Sequence, residues 1–145
     1  ETMTNFYNLC YREEEREMIP FCKDQNISVL PYSPVAKGFL TGKYTRNEKN
    51  DTIRFKTDPR LAERFFKPED FDVLEIVMQI ANEKGVKPAQ IALAWLLEKN
   101  TAPIIGVTKK SHVEDAVESL NIKLTSNDMK QLEEPYKMHP TTGYE

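Results

Sequence analysis

Short apolar runs rich in β-branched and aromatic residues alternate along this chain with longer stretches whose apolar residues recur at three and four. That alternation is the mark of βα units, and so of an α/β fold. The first short run is Met3 to Leu9. Behind it Arg12-Glu13-Glu14-Glu15-Arg16-Glu17 leads into Met18, Ile19 and Cys22, which can share one helix face, and Pro20 is expected to kink that helix. Acidic residues suit the first turns of a helix, so the charge run reads as a solvated helix start. A second run, Ile27 to Tyr32, suits a parallel strand buried on both faces, with Pro31 as its weak point. The third is Ala102 to Val107.

Between the second and third runs, residues 33–68 show no sustained periodicity and are expected to form one long loop, with Gly38, Gly42 and the polar Asn47 to Asp51. Phe71, Leu74, Val77, Met78 and Ala81 then mark a helix that Gly85 ends, and Pro88 opens a second whose Ile91, Leu93, Ala94, Trp95 and Leu97 are apolar almost all round. The two form a helical hairpin, and the second helix should be buried between neighbours, with Trp95 as a core residue. Ser111 with Glu114 predicts a capping box for a helix through Leu120, and Thr125 with Asp128 predicts another for a last helix that Pro135 stops. The tail, 135–145, contains Tyr136, His139, Pro140 and Tyr144 and should be irregular, with His139 near a substrate mouth. A parallel sheet of three strands would leave apolar faces and unpaired edges, which predicts self-association or a need for further strands.

At 145 residues and 39% hydrophobic, the chain is long enough to bury a core as one domain. Its formal charge of −3 offers no long-range attraction for nucleic acid or anionic lipid, so neither is expected as a partner. No stretch approaches a membrane span, and Glu1-Thr2-Met3 lacks the features of a signal peptide, which predicts a cytoplasmic location. Cys10 and Cys22 have no spacing partners for zinc or a disulfide framework and are expected to be reduced and at least partly buried.

Neither the Gly-x-Gly-x-x-Gly of dinucleotide folds nor a P-loop occurs. Parallel strands present ligands at their carboxyl ends, where this chain puts Asn5 to Asn8, Tyr32-Ser33-Pro34 and Gly106 to Lys110. The segments Ser33 to Lys43 and Gly106 to His112 could each hold phosphate: their glycines permit close backbone approach, and Lys109, Lys110 and His112 add charge at a helix start. On residues alone, Tyr32 reads equally as a buried strand tyrosine, Lys109 and Lys110 as a solvated helix entry, and His112 as an exposed helix residue.

The runs Asn5-Phe6-Tyr7-Asn8-Leu9, Tyr32-Ser33-Pro34, Gly38-Phe39-Leu40-Thr41-Gly42-Lys43-Tyr44, Ile91-Ala92-Leu93-Ala94-Trp95-Leu96, Pro103-Ile104-Ile105-Gly106 and Leu132-Glu133-Glu134-Pro135-Tyr136 together resemble the aldo-keto reductases, in the branch of aryl-alcohol dehydrogenases and potassium-channel β subunits. The resemblance covers essentially the whole chain. It implies a partial (β/α)8 TIM barrel, strands six to eight with their helices, forming one incomplete domain over 1–145, and it implies NADP(H) as cofactor and a small carbonyl compound as substrate. Carried over by position, Tyr32 would stack on the nicotinamide, and Asn5 would bond the carboxamide beside a position usually Gln but here Thr4. Ser33, Val35, Gly38 and Leu40 would line the pyrophosphate. Gly106, Val107, Thr108, Lys109 and His112 would surround the 2′-phosphate, with Asp115 and Ala116 near the adenine. The family often has Arg where His112 stands, which leaves NADPH against NADH open.

The family's catalytic Tyr, Lys, Asp and His match no segment here. The chain is therefore expected to be a fragment that binds cofactor without turnover; the alternative is a non-catalytic regulatory or scaffold subunit of the same fold.

Overall fold

A computed structural model describes residues 1–46 and 53–140, so the expectation for Asn47 to Asp51 and that for Tyr144 lie outside the described residues. Strands β1 (Thr2–Phe6) and β2 (Ser28–Tyr32) pair in parallel from Thr2 beside Ser28 to Phe6 beside Tyr32. Side chains alternate along a strand, so this register fixes two faces. Thr2, Thr4, Phe6, Ser28, Leu30 and Tyr32 share one, and Met3, Asn5, Val29 and Pro31 share the other. Asn5, Val29 and Pro31 are buried, whereas Thr2, Thr4, Ser28 and Tyr32 are exposed. The expectation that β2 is buried on both faces is thus corrected: one face is packed and the other is largely open, with Leu30 half-buried and Phe6 of β1 covered.

The crossover between the strands runs through a 3₁₀ turn, Glu13–Arg16, and α1 (Met18–Asp24). Pro20 falls in the first turn of α1, where an N–H has no intrahelical acceptor, so the helix begins around it instead of kinking. The acidic run makes its own half-buried turn and is not a solvated helix start.

The third expected strand shrinks to a single bridge between Tyr32 and Ile104. Ala102 N–H donates to the Val29 carbonyl at 3.0 Å and Ile104 N–H to that of Pro31 at 2.8 Å. In a parallel ladder the Ala102 carbonyl would receive the N–H of residue 31, and proline has none. Ile104, Ile105 and Val107 lie exposed.

The expected loop over 33–68 also needs correction. It contains a 3₁₀ segment, Ala36–Thr41, then α2 (Ile53–Thr57) and α3 (Pro59–Phe65). Buried Phe39, Leu40, Tyr44, Leu61 and Phe65 make it part of the core, where Phe39 contacts the rings of Phe65, Phe66 and Phe71. Helices of five and seven residues are too short to display a period.

Helices α4 (Pro68–Lys84) and α5 (Pro88–Glu98) form the expected hairpin. Gly85 ends α4 in the left-handed region at φ 66°, returning its N–H to Asn82. Trp95 is fully buried on α5. Helix α6 (Lys110–Glu118) starts after Lys109, so Ser111 sits inside it and the expected Ser111–Glu114 cap does not form. Helix α7 (Ser126–Glu133) does carry its box: Thr125 Oγ1 accepts from Asp128 N–H and Asp128 Oδ2 from Thr125 N–H. Among the described residues no helix is long and apolar enough to cross a membrane. Both cysteines are free and buried, and burial pushes the Cys10 thiol well above its ordinary range, with the charge of Asp70 adding to the effect.

Two polar clusters tie the ends of the chain together. In one, Arg12 bonds Glu15 and Glu133 and lies over the rings of Trp95 and Tyr136, while Glu133 also accepts from Trp95 Nε1 at 3.0 Å and pairs with Lys99 at 2.7 Å. Burial alone would raise the Glu133 carboxyl, but hydrogen bonds from Lys99 and Trp95 and the charge of Arg12 outweigh it and hold it below the ordinary range. In the other cluster, His139 Nε2 lies 2.8 Å from Asp70 Oδ1, both side chains being buried, and Asp70 Oδ2 accepts from Lys67 N–H at the start of α4. His139 N–H and the Tyr136 hydroxyl both donate to Glu13 Oε1.

A carboxyl whose pKa is lower folded than unfolded stabilises above its unfolded value and loses that contribution as pH falls through the folded one. Urea denaturation should therefore find Glu133→Gln about 1 kcal/mol less stable than the parent at about pH 6. The gap should narrow toward about pH 3, as the Glu133 carboxylate begins to take up a proton. A gap of equal size at both pH values would show that the charge is not what stabilises. Asp70→Ala leaves His139 and the Lys67 N–H without their buried acceptor and should cost about 3 kcal/mol in the same assay; a change below about 0.5 kcal/mol would place the tail elsewhere in solution.

Candidate functional site

At the carboxyl ends of the strands the open face of the sheet meets two loops. Tyr32 is the last residue of β2 and is 44% exposed, so the reading of it as a buried strand tyrosine is set aside. Its ring centroid lies 5.2 Å from that of Phe6, its register partner. Phe6 is covered in turn by the rings of Tyr11 and Phe65 and by the Arg64 guanidinium, 5.6 Å from its centroid.

The chain leaves β2 through a loop held by its own backbone. Ser33 (φ 56°), Ala36 (φ 49°) and Lys37 (φ 56°) adopt left-handed conformations that cost non-glycine residues about 1 kcal/mol or more each. The Ser33 carbonyl accepts from Ala36 N–H and Asn8 Nδ2, and Ser33 Oγ accepts from Lys37 N–H at 3.0 Å. Lys37 Nζ pairs with Asp58 at 2.7 Å, just before α3. Gly38 follows at φ 94°, where a Cβ would meet nothing within 4 Å, so this backbone borders open space. The N–H groups of Gly38 and Leu40 both donate to the Val35 carbonyl, so the glycine offers an anion close approach more than a spare donor. Leu40 itself is fully buried.

The Tyr32–Ile104 bridge sets Gly106 two residues beyond the strand end, again with open space where a Cβ would stand. From there Val107, Thr108, Lys109 and His112 are exposed along the start of α6. The His112 ring accepts a long bond, 3.5 Å, from Thr108 N–H. Asp115 is occupied by Lys87 at 2.6 Å, and Gln90 of α5 donates to the Asp115 carbonyl and to Glu118, which positions α6. Ala116 is half-buried, its carbonyl accepting from Ser119 Oγ at 2.6 Å.

Asn5 is the predicted residue that the structure does not bring to Tyr32. It stands in register with Pro31, on the packed face, and its Nδ2 donates to Glu14 at 2.8 Å while its Oδ1 is buried without a partner. Alternation is the physical reason: an odd-numbered residue of β1 cannot share the face of Phe6 and Tyr32. Thr4 does share that face and is exposed.

Sequence reasoning also passed over Asn8 as a structural residue. It is fully buried, exchanges backbone hydrogen bonds with Tyr11, accepts from Cys10 N–H and ties the exit of β1 to Ser33. An Asn directly after a strand is a turn signal that could have marked it. His139, expected near a substrate mouth, is instead sealed against Asp70. Among the described residues no group of His, Cys, Asp and Glu could hold a metal ion.

A family profile described as the Aldo/keto reductase family matches residues 2–137. A Schizosaccharomyces pombe protein named as an aryl-alcohol dehydrogenase is 42% identical over 98% of this chain and 43% of its own length. The versiconal hemiacetal acetate reductase of Aspergillus parasiticus is 38% identical over 96% of this chain and 42% of its own length. Among solved structures, a glycerol dehydrogenase from Gluconobacter oxydans superposes with a TM-score of 0.76 at 22% identity, over 98% of this chain and 46% of that one, which shows the fold alone. The chain thus spans less than half the length of these relatives. By the match over nearly its whole length, the chain belongs to the aldo/keto reductase family.

Proposed function

We propose that this chain forms the NADP(H)-binding side of a reductase that converts aldehydes or ketones to alcohols by hydride transfer. The observation that carries the reading is the half-exposed ring of Tyr32, standing at the end of β2 on the open face of the sheet between two loops that border open space at Gly38 and Gly106. A flat aromatic at that place suits a nicotinamide ring, and Thr4 is the neighbouring polar side chain of the same face. Ser33, Val35 and Gly38 would border the pyrophosphate; Leu40, expected beside them, is instead fully buried with its N–H given to the Val35 carbonyl. Gly106, Val107, Thr108, Lys109 and His112 would face the 2′-phosphate, with Asp115 and Ala116 toward the adenine.

The residues present fit the group in part. An exposed cation, Lys109, directly before α6 favours an anion there, since helix N-termini leave N–H groups unpaired. Asn5 does not fit its expected role, and the carboxamide would have to find Thr4. The bound dinucleotide would supply the hydride; what this chain supplies is a ring to lie against, a backbone that lets phosphate approach, and positive charge. The family's catalytic acid and its partners match no segment here, so the chain alone should bind without turnover. The exposed Ile104, Ile105 and Val107 support a need for further strands or a second copy.

NADPH should show a saturable fluorescence change on titration with this chain, and Tyr32→Ala should weaken it about tenfold. No saturable signal, or equal affinity in the variant, would contradict the reading. Lys109→Ala should weaken NADPH about fivefold and leave NADH unchanged, because only the former carries the extra phosphate; equal losses for both would move Lys109 away from the 2′ position.

A further inference from the structure

We propose that Asn8 is a positioning residue for the dinucleotide: its side-chain amide holds the Ser33 carbonyl toward the protein, so that the loop leaving β2 does not turn this oxygen toward the phosphates. The proposal rests on the reading of Ser33, Val35 and Gly38 as the phosphate border, and adds to it the residue that sets the loop.

Asn8 follows the end of β1 by two residues and is fully buried. Each of its four polar groups is engaged. Its backbone exchanges hydrogen bonds with Tyr11 at 3.1 and 3.0 Å, Oδ1 accepts from Cys10 N–H at 3.0 Å, and Nδ2 donates to the Ser33 carbonyl at 3.2 Å. Cys10 N–H can only donate, so the amide oxygen must face it and the amide nitrogen is left for Ser33. The bond spans 25 positions and joins the exit of β1 to the first residue after Tyr32.

Ser33 stands at φ 56°, a conformation that a residue with a Cβ keeps only when it is held. Two donors reach its carbonyl, Ala36 N–H at 2.9 Å and Asn8. The first belongs to the same turn and travels with it. The Lys37–Asp58 pair ties the loop to α3 and not to the sheet. Asn8 is therefore the tie between the loop and the strand that neighbours Tyr32. A buried amide paired at both ends adds little net stability over an apolar residue of the same shape, so stability alone gives little reason for Asn here. Without that tie the Ser33 oxygen is free to turn toward the open space that Gly38 borders, where its negative end would meet a phosphate.

The test is a double-mutant cycle on NADP⁺ affinity, measured by calorimetric titration of this chain, with amide hydrogen exchange of the free chain beside it. Asn8→Ala should weaken NADP⁺ about tenfold, the effect of one hydrogen bond, and should speed exchange at Ala36 N–H. In a Ser33→Gly background, where glycine takes the left-handed conformation without being held, the same substitution should weaken binding only about threefold. Asn8→Asp keeps the acceptor for Cys10 N–H and, once ionised, loses the donor to Ser33; it serves if Asn8→Ala does not fold, and its deficit against the parent should grow from about pH 5 to about pH 8. Equal affinity of the parent and a folded Asn8 variant, or the same loss in both backgrounds, overturns the proposal. The cofactor reading fails separately, if the parent chain shows no saturable heat with NADP⁺.

Discussion

Phe6 beside Tyr32 is the pairing on which the rest of the site depends. Two five-residue strands in parallel register decide, by alternation alone, that Thr4 and Tyr32 look outward while Asn5, Val29 and Pro31 pack against the helices. A shift of one residue would exchange the faces and bury the ring that the ligand reading needs. The register is held from both ends. Ser28 N–H donates to the Glu1 carbonyl at the start, and Asn8, buried behind the far end of β1, fastens that strand's exit to Ser33.

From this pairing the loops inherit their positions. The segment after Tyr32 is held in left-handed conformations by bonds that Ser33 accepts, and Lys37 anchors it through Asp58 to α3. The same helix carries Arg64 back over Phe6. On the other side Gln90 ties α5 to α6, so the exposed stretch from Gly106 to His112 is supported by a buried helix. The tail joins the arrangement as well: Tyr136 and His139 donate to Glu13, in the turn that follows β1, and His139 also bonds Asp70 at the start of α4. Strand ends, loops and tail therefore form one connected set.

Much of this was legible where the signal is local. Gly85, Pro88 and the Thr125–Asp128 box each act within a turn of their own helix, and each stands where the sequence places it. The failures share a cause, namely dependence on a distant neighbour. The strand expected over Ala102 to Val107 is interrupted by Pro31, which belongs to the strand beside it. Asn5 was matched to a ligand by its place in a motif, but which face it takes is known only once its partner is known to be Pro31. Asp70 and His139 lie 69 positions apart, and nothing local to either announces the pair. The helices in 33–68 were hidden for a different reason, being shorter than the window in which a helical period can be recognised.

The most direct measurement of the central claim is the set of intermolecular nuclear Overhauser effects between the nicotinamide protons of NADP⁺ and this chain. The account predicts contacts to Thr4, Leu30 and the Tyr32 ring, the side chains of the open face, and none to Val29 or Asn5. Contacts to the latter pair, or a nicotinamide that touches neither face, would contradict it.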